Sequence, residues 1–417
     1  MRPPGFTYKR AIAHCERVPL PRLAEKYGTP LYVYSASTIR ERYRTFDRAL
    51  GRFPHSICYS VKANSNLGIL RLLARLGSGF DVVSGGELAR VQKAAKRATV
   101  VFSGVGKTVE EMDAALRANI LMFNVESEGE LHLLAQRAAR LKKMARIALR
   151  VNPDVSAETH PYISTGLREH KFGVPVSEAR ALYAQAARER WLEVAGVSVH
   201  IGSQITDMEP FEATMERVAE LVRALHFDGH HIRYVDAGGG LGISYHHADE
   251  LAPRAKAYVK AITTPLRKLR VHLILEPGRA IVAPAGALLT RVLYIKANGE
   301  HKFAIVDGAM NDLLRPSLYG AYHRILPVAA DDRRPTTDDW DVVGPVCESG
   351  DFLARDRELP ALEPGELLLV LDTGAYGMSL ASNYNSRPRP AEVLVDSSRV
   401  TVLRMRETIR DLIANEQ

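Results

Sequence analysis

Cysteine is scarce in this chain, and the three present, Cys15, Cys58 and Cys347, form no CxxC pair. That spacing suits reduced thiols and argues against a disulfide framework, so a cysteine with a role here acts chemically. Long apolar runs are missing too, and none approaches the length of a bilayer crossing. The opening Met-Arg-Pro-Pro-Gly-Phe lacks the apolar segment of a secretory signal, which reads as a cytoplasmic protein. With 46% hydrophobic residues over 417 positions, disorder is disfavoured and two domains are expected. Acidic excess is also lacking: 56 basic against 48 acidic side chains leave +8. The one basic cluster, residues 137–146, lies on an amphipathic helical pattern with Leu141 and Met144 inward, so it reads as a solvated face rather than a nucleic-acid surface.

What the chain does have is alternation. Short apolar runs at 57–61, 80–83, 100–102, 120–125, 147–151, 194–201, 232–237 and 271–275 are separated by helical patterns. Two helix starts, Thr108 to Glu111 and Ser127 to Glu130, fit a capping box. Strands alternating with helices imply parallel pairing, and eight such units predict a closed (β/α)8 barrel of the TIM type.

Polar residues gather at the C-terminal ends of these runs, where such barrels build their sites. They are Lys62, Asp81 with Ser84, Ser103, Asn124, Arg150 with Asn152, His200 with Ser203, Asp236, and Glu276-Pro277-Gly278-Arg279. An amine at the mouth of a buried strand, as Lys62 would be, is placed where desolvation makes it a carbonyl-capturing nucleophile. Gly238, Gly239 and Gly240 let backbone N–H groups approach an anion, which points to a phosphate-bearing cofactor. Gly106-Lys107-Thr108 imitates the end of a P-loop but lacks its first glycine, Val101 standing in that place. The pairs His230-His231 and His246-His247 have no third ligand at metal spacing and read as surface loops.

Beyond residue 282 the alternation stops and hairpin signals begin. Residues 290–297 and 301–307 flank Asn298-Gly299, a type I′ turn signal, and 392–395 faces 400–404 across Asp396-Ser397-Ser398. A mostly antiparallel β domain is expected, ending in a short helix from about Glu407. Its loops carry Arg315 to Tyr319, Cys347-Glu348-Ser-Gly-Asp351 and Asp372 to Tyr376.

Five segments occur in order: Tyr59-Ser-Val-Lys62-Ala-Asn64, His200-Ile-Gly-Ser203-Gln, Asp236-Ala-Gly-Gly-Gly240-Leu-Gly, Glu276-Pro-Gly-Arg279 and Gly344-Pro-Val-Cys347-Glu348-Ser-Gly-Asp351. Together they resemble the fold-type III pyridoxal-phosphate decarboxylases over roughly residues 29–395. The resemblance implies an alanine-racemase-like barrel at 35–282, with 1–34 and 283–417 forming the β domain.

It also implies residue roles. Lys62 would capture the aldehyde of pyridoxal 5'-phosphate, and His200 would stack on the ring. Ser203, Gly238, Gly239, Gly240, Gly278 and Tyr376 would hold the phosphate, with Pro277 in the same loop. Glu276 would pair with the ring nitrogen, supported by Asp81 and Arg150, and Cys347 would donate a proton to the carbanion. Arg279, Arg315, Tyr319, Glu348 and Tyr376 would bind the far end of the substrate. A distal carboxylate suits an arginine and a distal ammonium suits Glu348, so meso-diaminopimelate and its product L-lysine are favoured over ornithine or lysine as substrates. The alternatives are an ornithine, arginine or carboxynorspermidine decarboxylase, or a non-catalytic cofactor-binding regulator. Alanine racemases share the barrel, but Cys347-Glu348 points away from them. A homodimer with Cys347 and Glu348 reaching the partner's cofactor is implied, and residues 165–173 are placed to serve as a lid.

Overall fold

The computed structural model describes residues 5–155, 171–247, 250–330 and 337–417. Two compact units emerge from the packing, one of residues 43–243 with 250–280 and one of residues 1–42, 244–249 and 281–417. The sequence reading sets its barrel bounds at 35 and 282.

The first unit is the barrel. Its strands are β1 (His55–Ser60), β2 (Gly79–Val82), β3 (Val100–Phe102), β4 (Met122–Val125), β5 (Ala145–Asn152), β6 (Leu192–Ser198), β7 (Tyr234–Asp236) and β8 (His272–Leu275). Each pairs in parallel with the next, and β8 returns to β1 with Leu275 opposite Ile57, which closes the sheet. All eight apolar runs thus became strands. Six overran: Val61, Val83, Ile120 with Leu121, Val199 to Ile201, Ile232 and Arg233 with Ala237, and Val271 lie outside their strands. Cys58, Val101, Met122, Ala148, Ala195 and Ile274, one each from six strands, form a fully buried cluster. Small and branched side chains at such positions fill a closed barrel as a packed core.

The helix starts refine the capping expectation. Thr108 and Glu111 make both bonds of a capping box at helix Val109–Ala118. At helix Glu128–Leu141 only half forms: Ser127 Oγ accepts from Glu130 N, but the Glu130 carboxylate turns away. It accepts instead from Glu126 N at 3.0 Å and from Lys107 Nζ at 2.7 Å. Lys107 also donates to the carbonyls of Gly104 at 2.8 Å and Asn124 at 2.7 Å. The lysine of the P-loop imitation is therefore a buried tie between loops.

In the second unit a sheet runs Phe352–Pro360, Thr337–Val343, His301–Val306, Gly286–Asn298, Leu31–Ser35, Ala391–Asp396, Arg399–Arg404. The N-terminal strand Leu31–Ser35 is buried throughout and pairs in parallel with Ala391–Asp396 and antiparallel with Gly286–Asn298. Burial on both faces explains its unbroken apolar run. The hairpin after Gly286–Asn298 differs from expectation: Asn298 pairs with His301, so Gly299 and Glu300 form the loop. Only Gly299 has positive φ, at 62°, which is the pattern of a type II′ turn rather than I′. The closing helix is Ile409–Ile413, capped by Thr408. Among the described residues no helix is long and apolar enough to cross a membrane.

Candidate active site

The barrel strands deliver their polar ends to one rim. Lys62 leaves β1 in a 3-10 turn, Val61–Ala63, and its ammonium lies 3.2 Å from Asp81 Oδ2 at the end of β2. Ser60 donates to the same oxygen at 2.8 Å. Lys62 therefore sits in an ion pair rather than an apolar pocket, with about a third of its side chain exposed (35%). Asp81 Oδ1, fully buried, has no hydrogen-bond partner among the described residues.

Behind this pair lies a second acidic group. Ser103 donates to Glu276 Oε1 at 3.3 Å, and Asn124 Nδ2 donates to Ser103 at 3.0 Å and to Asp236 Oδ2 at 2.8 Å. Gly238 N donates to Asp236 Oδ1 at 3.0 Å, and the Asp236 and Glu276 carboxyl groups bond to each other. Burial pushes both upward, and Glu276 is raised further by the neighbouring charges of Asp236 and Asp81. Asp236 is the better stabilised as an anion, since an amide, a backbone N–H and Glu276 all face it. Of the two, Glu276 is pushed further toward its protonated form, by burial and by the charges of Asp236 and Asp81.

His200 follows β6, and Gly239 N donates to its Nδ1 at 3.3 Å. Removal from water, then the cations Lys62 and Arg150, hold its imidazole well below the usual range, so the ring is neutral. Two of the three glycine amides, those of Gly238 and Gly239, are thus committed to Asp236 and His200. The glycines serve close approach as well: a Cβ on Gly239 would lie 2.3 Å from the Glu276 carbonyl, and on Gly278 it would lie 2.9 Å from Ala63 Cβ. Pro277 O accepts from Ser60 N at 3.3 Å, and Arg279 donates to Ser203 Oγ at 3.0 Å. Gln204, at φ 63°, clamps Ile243 through both ends of its amide. Ser84 caps helix Gly85–Ala94 by accepting from Glu87 N, which is a structural task.

Sequence reasoning missed Glu126. This buried carboxylate accepts from both Arg150 contacts at 3.0 and 3.1 Å, from Gly104 N at 2.8 Å and from Gly173 N at 3.2 Å. Arg150 in turn packs over Phe172 at 4.7 Å. The signal was available, since Glu126 stands immediately after the fourth apolar run. Of the expected lid, residues 165–170 lie outside the described residues.

In the second unit the residues read as substrate ligands occupy adjoining loops. Cys347 and Glu348 are exposed, with Cys347 N donating to Asn385 Oδ1 at 2.8 Å and Tyr384 donating to Glu348 at 3.4 Å. Asp351 fixes this loop by accepting from Met310 N and Val346 N, both at 2.7 Å. Arg315 is buried on helix Arg315–Tyr319, Tyr319 is half-buried at its end, and half-buried Tyr376 adopts φ 56°. His246 stacks on Tyr322 at 4.1 Å.

The profile of pyridoxal-dependent decarboxylases, pyridoxal binding domain, matches residues 36–283. A diaminopimelate decarboxylase from Pseudomonas aeruginosa is 53% identical over 412 residues, covering 99% of this chain and 98% of that one. The chain belongs to the diaminopimelate decarboxylase family. A family structure from M. jannaschii, in co-complex with L-lysine, superposes with a TM-score of 0.94 at 40% identity, covering 100% of this chain and 99% of that one. The diaminopimelate decarboxylase from Helicobacter pylori complexed with L-lysine gives 0.90 at 44%, covering 95% and 99%.

Pyridoxal phosphate is the cofactor of this decarboxylase family, and the rim fits it. The unpartnered Asp81 Oδ1, the neutral His200 ring, the proton on Glu276 and the glycine floor that no Cβ could enter suit a flat aromatic ring with a basic nitrogen.

Proposed function

We propose that this chain releases carbon dioxide from meso-diaminopimelate to leave L-lysine, with Lys62, His200 and Glu276 as the cofactor-facing residues and Cys347 as proton donor. The observation that carries this assignment of roles is the barrel rim itself, where the Lys62–Asp81 ion pair and the buried hydrogen-bonded group of Ser103, Asn124, Asp236 and Glu276 are delivered by neighbouring strand ends. When bound, the pyridoxal ring is an electron sink for the charge left by departing carbon dioxide. Lys62 supplies the amine that holds the aldehyde end, and Asp81 orients that amine. Glu276 carries a proton it can hand to a basic ring nitrogen, which strengthens the sink. Neutral His200 offers a flat face against which a ring can stack. The thiol of Cys347 gives its proton to the substrate carbon.

The far end of the substrate falls to Arg279, Arg315, Tyr319, Tyr376 and Glu348, with arginine for carboxylate and Glu348 for ammonium. Two relatives were captured with L-lysine, which carries that far end intact. Ser203 and the loops at Gly238 to Gly240 and Gly278 take the phosphate. The exposed loop bearing Cys347 and Glu348, with Leu318 and Tyr384 41% and 44% exposed nearby, suits burial by a second copy that shares its site. A cytoplasmic location goes with this reading. Carbon dioxide release from meso-diaminopimelate is expected only with pyridoxal phosphate present, yielding L-lysine; no release, or release from ornithine instead, overturns the substrate. Mixing inactive Lys62→Ala and Cys347→Ala chains should regenerate activity through mixed dimers, and mixtures that stay inactive refute the shared site.

A further inference from the structure

His323 lies behind Arg315 and has no place in the chemistry described so far. It is fully buried, and its Nε2 lies 2.8 Å from an Arg315 terminal nitrogen. Its Nδ1 lies 2.8 Å from the Leu371 carbonyl oxygen. A guanidinium has donors only, so Nε2 must accept. The ring proton therefore sits on Nδ1 and is donated to Leu371 O, which fixes the tautomer from both sides. The surroundings are rigid. Arg357 donates to the His323 carbonyl at 2.7 Å, and Leu371 N is tied to Arg324 O at 2.9 Å. The Tyr245 ring packs against the Arg315 guanidinium at 4.7 Å and stands edge-on to the imidazole at 5.2 Å and 75°. One N–H of Arg315 is thus aimed by a neutral acceptor, and one face of its plane is set by an aromatic ring.

We propose that His323 is a positioning residue for substrate specificity: by accepting one N–H of Arg315 it turns the other donors of that guanidinium toward the carboxylate at the far end of the substrate. This rests on the reading that Arg315 binds that carboxylate. A planar fork recognises a carboxylate in a fixed orientation, so loss of the acceptor weakens ligands bearing the distal carboxylate and spares those without it.

The test uses holoenzyme and two competitors of meso-diaminopimelate turnover, L-lysine, which has the carboxylate, and 1,5-diaminopentane, which lacks it. His323→Asn keeps a donor for Leu371 O but withdraws the acceptor from Arg315, whereas His323→Gln places an amide oxygen where Nε2 stood. With normal cofactor absorbance, His323→Asn should raise the inhibition constant of L-lysine and the KM about tenfold, with kcat less affected and diaminopentane unchanged. His323→Gln should restore most of the loss. If His323→Asn does not load cofactor, His323→Leu makes the same comparison. Equal weakening of both competitors, no change in either, or no rescue by glutamine overturns the proposal. Arg315→Met tests the underlying reading separately: an unchanged ratio of the two competitors there removes Arg315 from carboxylate binding.

Discussion

At the scale of single residues, the groups that could be read from sequence are those whose position needs only the end of a strand. Lys62, Asp81, His200 and Glu276 all stand within two residues of an apolar run, and the parallel barrel brings them to one rim. Glu126 meets the same criterion, at the end of the fourth run, and was passed over; His323 was not legible, because it acts on Arg315 from across a loop whose path no local pattern gives. Glu276 allows a sharp test, because it holds a proton where an amide cannot release one. Glu276→Gln should retain cofactor and substrate affinity while kcat falls by roughly 100-fold or more, the ordinary worth of a positioned proton group. Single-turnover carbon dioxide release and cofactor absorbance separate the two effects; unchanged turnover refutes the role. Gly239→Ala belongs to the same rim and should fail differently. Its Cβ meets backbone, the Glu276 carbonyl at 2.3 Å, which cannot rotate aside. Cofactor affinity, read by absorbance titration, should fall at least about tenfold.

At the scale of elements, periodicity gave all eight barrel strands, yet the strand Leu31–Ser35 was placed with the β domain only through family resemblance. Its pairing with Ala391–Asp396 joins residues about 360 positions apart, a contact that no local pattern encodes. Charged groups inside elements were equally opaque. Lys107 looks like a phosphate lysine in sequence, but its side chain is 1% exposed and ties the loop after β3 to the helix start at Glu130. Burial raises Glu130 and the Lys107 cation opposes that shift, so removing the cation leaves a carboxylate buried without compensation. Lys107→Met should cost about 3–5 kcal/mol of stability, the usual penalty for breaking a buried pair from one side. Lys107→Met with Glu130→Gln should recover part of it, since no stranded charge remains. Denaturant unfolding of the three variants decides this, and a double variant no better than the single one refutes the account.

For the whole molecule, buried carboxyl groups set how stability depends on pH. Burial is the main cause pushing Glu87 and Asp312 up to about 7, and Glu276 is raised by burial and then by Asp236 and Asp81. Such groups keep a proton in the folded chain at a pH where the unfolded chain has lost it. Their contribution therefore falls as pH rises from the unfolded value through the folded one. His200 and His272 oppose this, because burial lowers them and the unfolded chain then binds the extra proton. Their effect raises stability with pH, but it fades over about one pH unit above the ordinary histidine value of about 6.5. Glu407, lowered to about 2 by Arg389, and Asp113, lowered by Arg137, complete their titration in the acid range. Between about pH 6.5 and 8, among the described residues with a shifted group, the raised carboxyl groups make the larger contribution to the charge difference between the folded and unfolded chain. The thermal midpoint of the cofactor-free protein should consequently fall across that window, and Glu276→Gln, which cannot ionise, should fall less. Scanning fluorimetry at three pH values in the window measures it, and a flat or rising midpoint in the unsubstituted chain contradicts the assignment of these protons to the folded state.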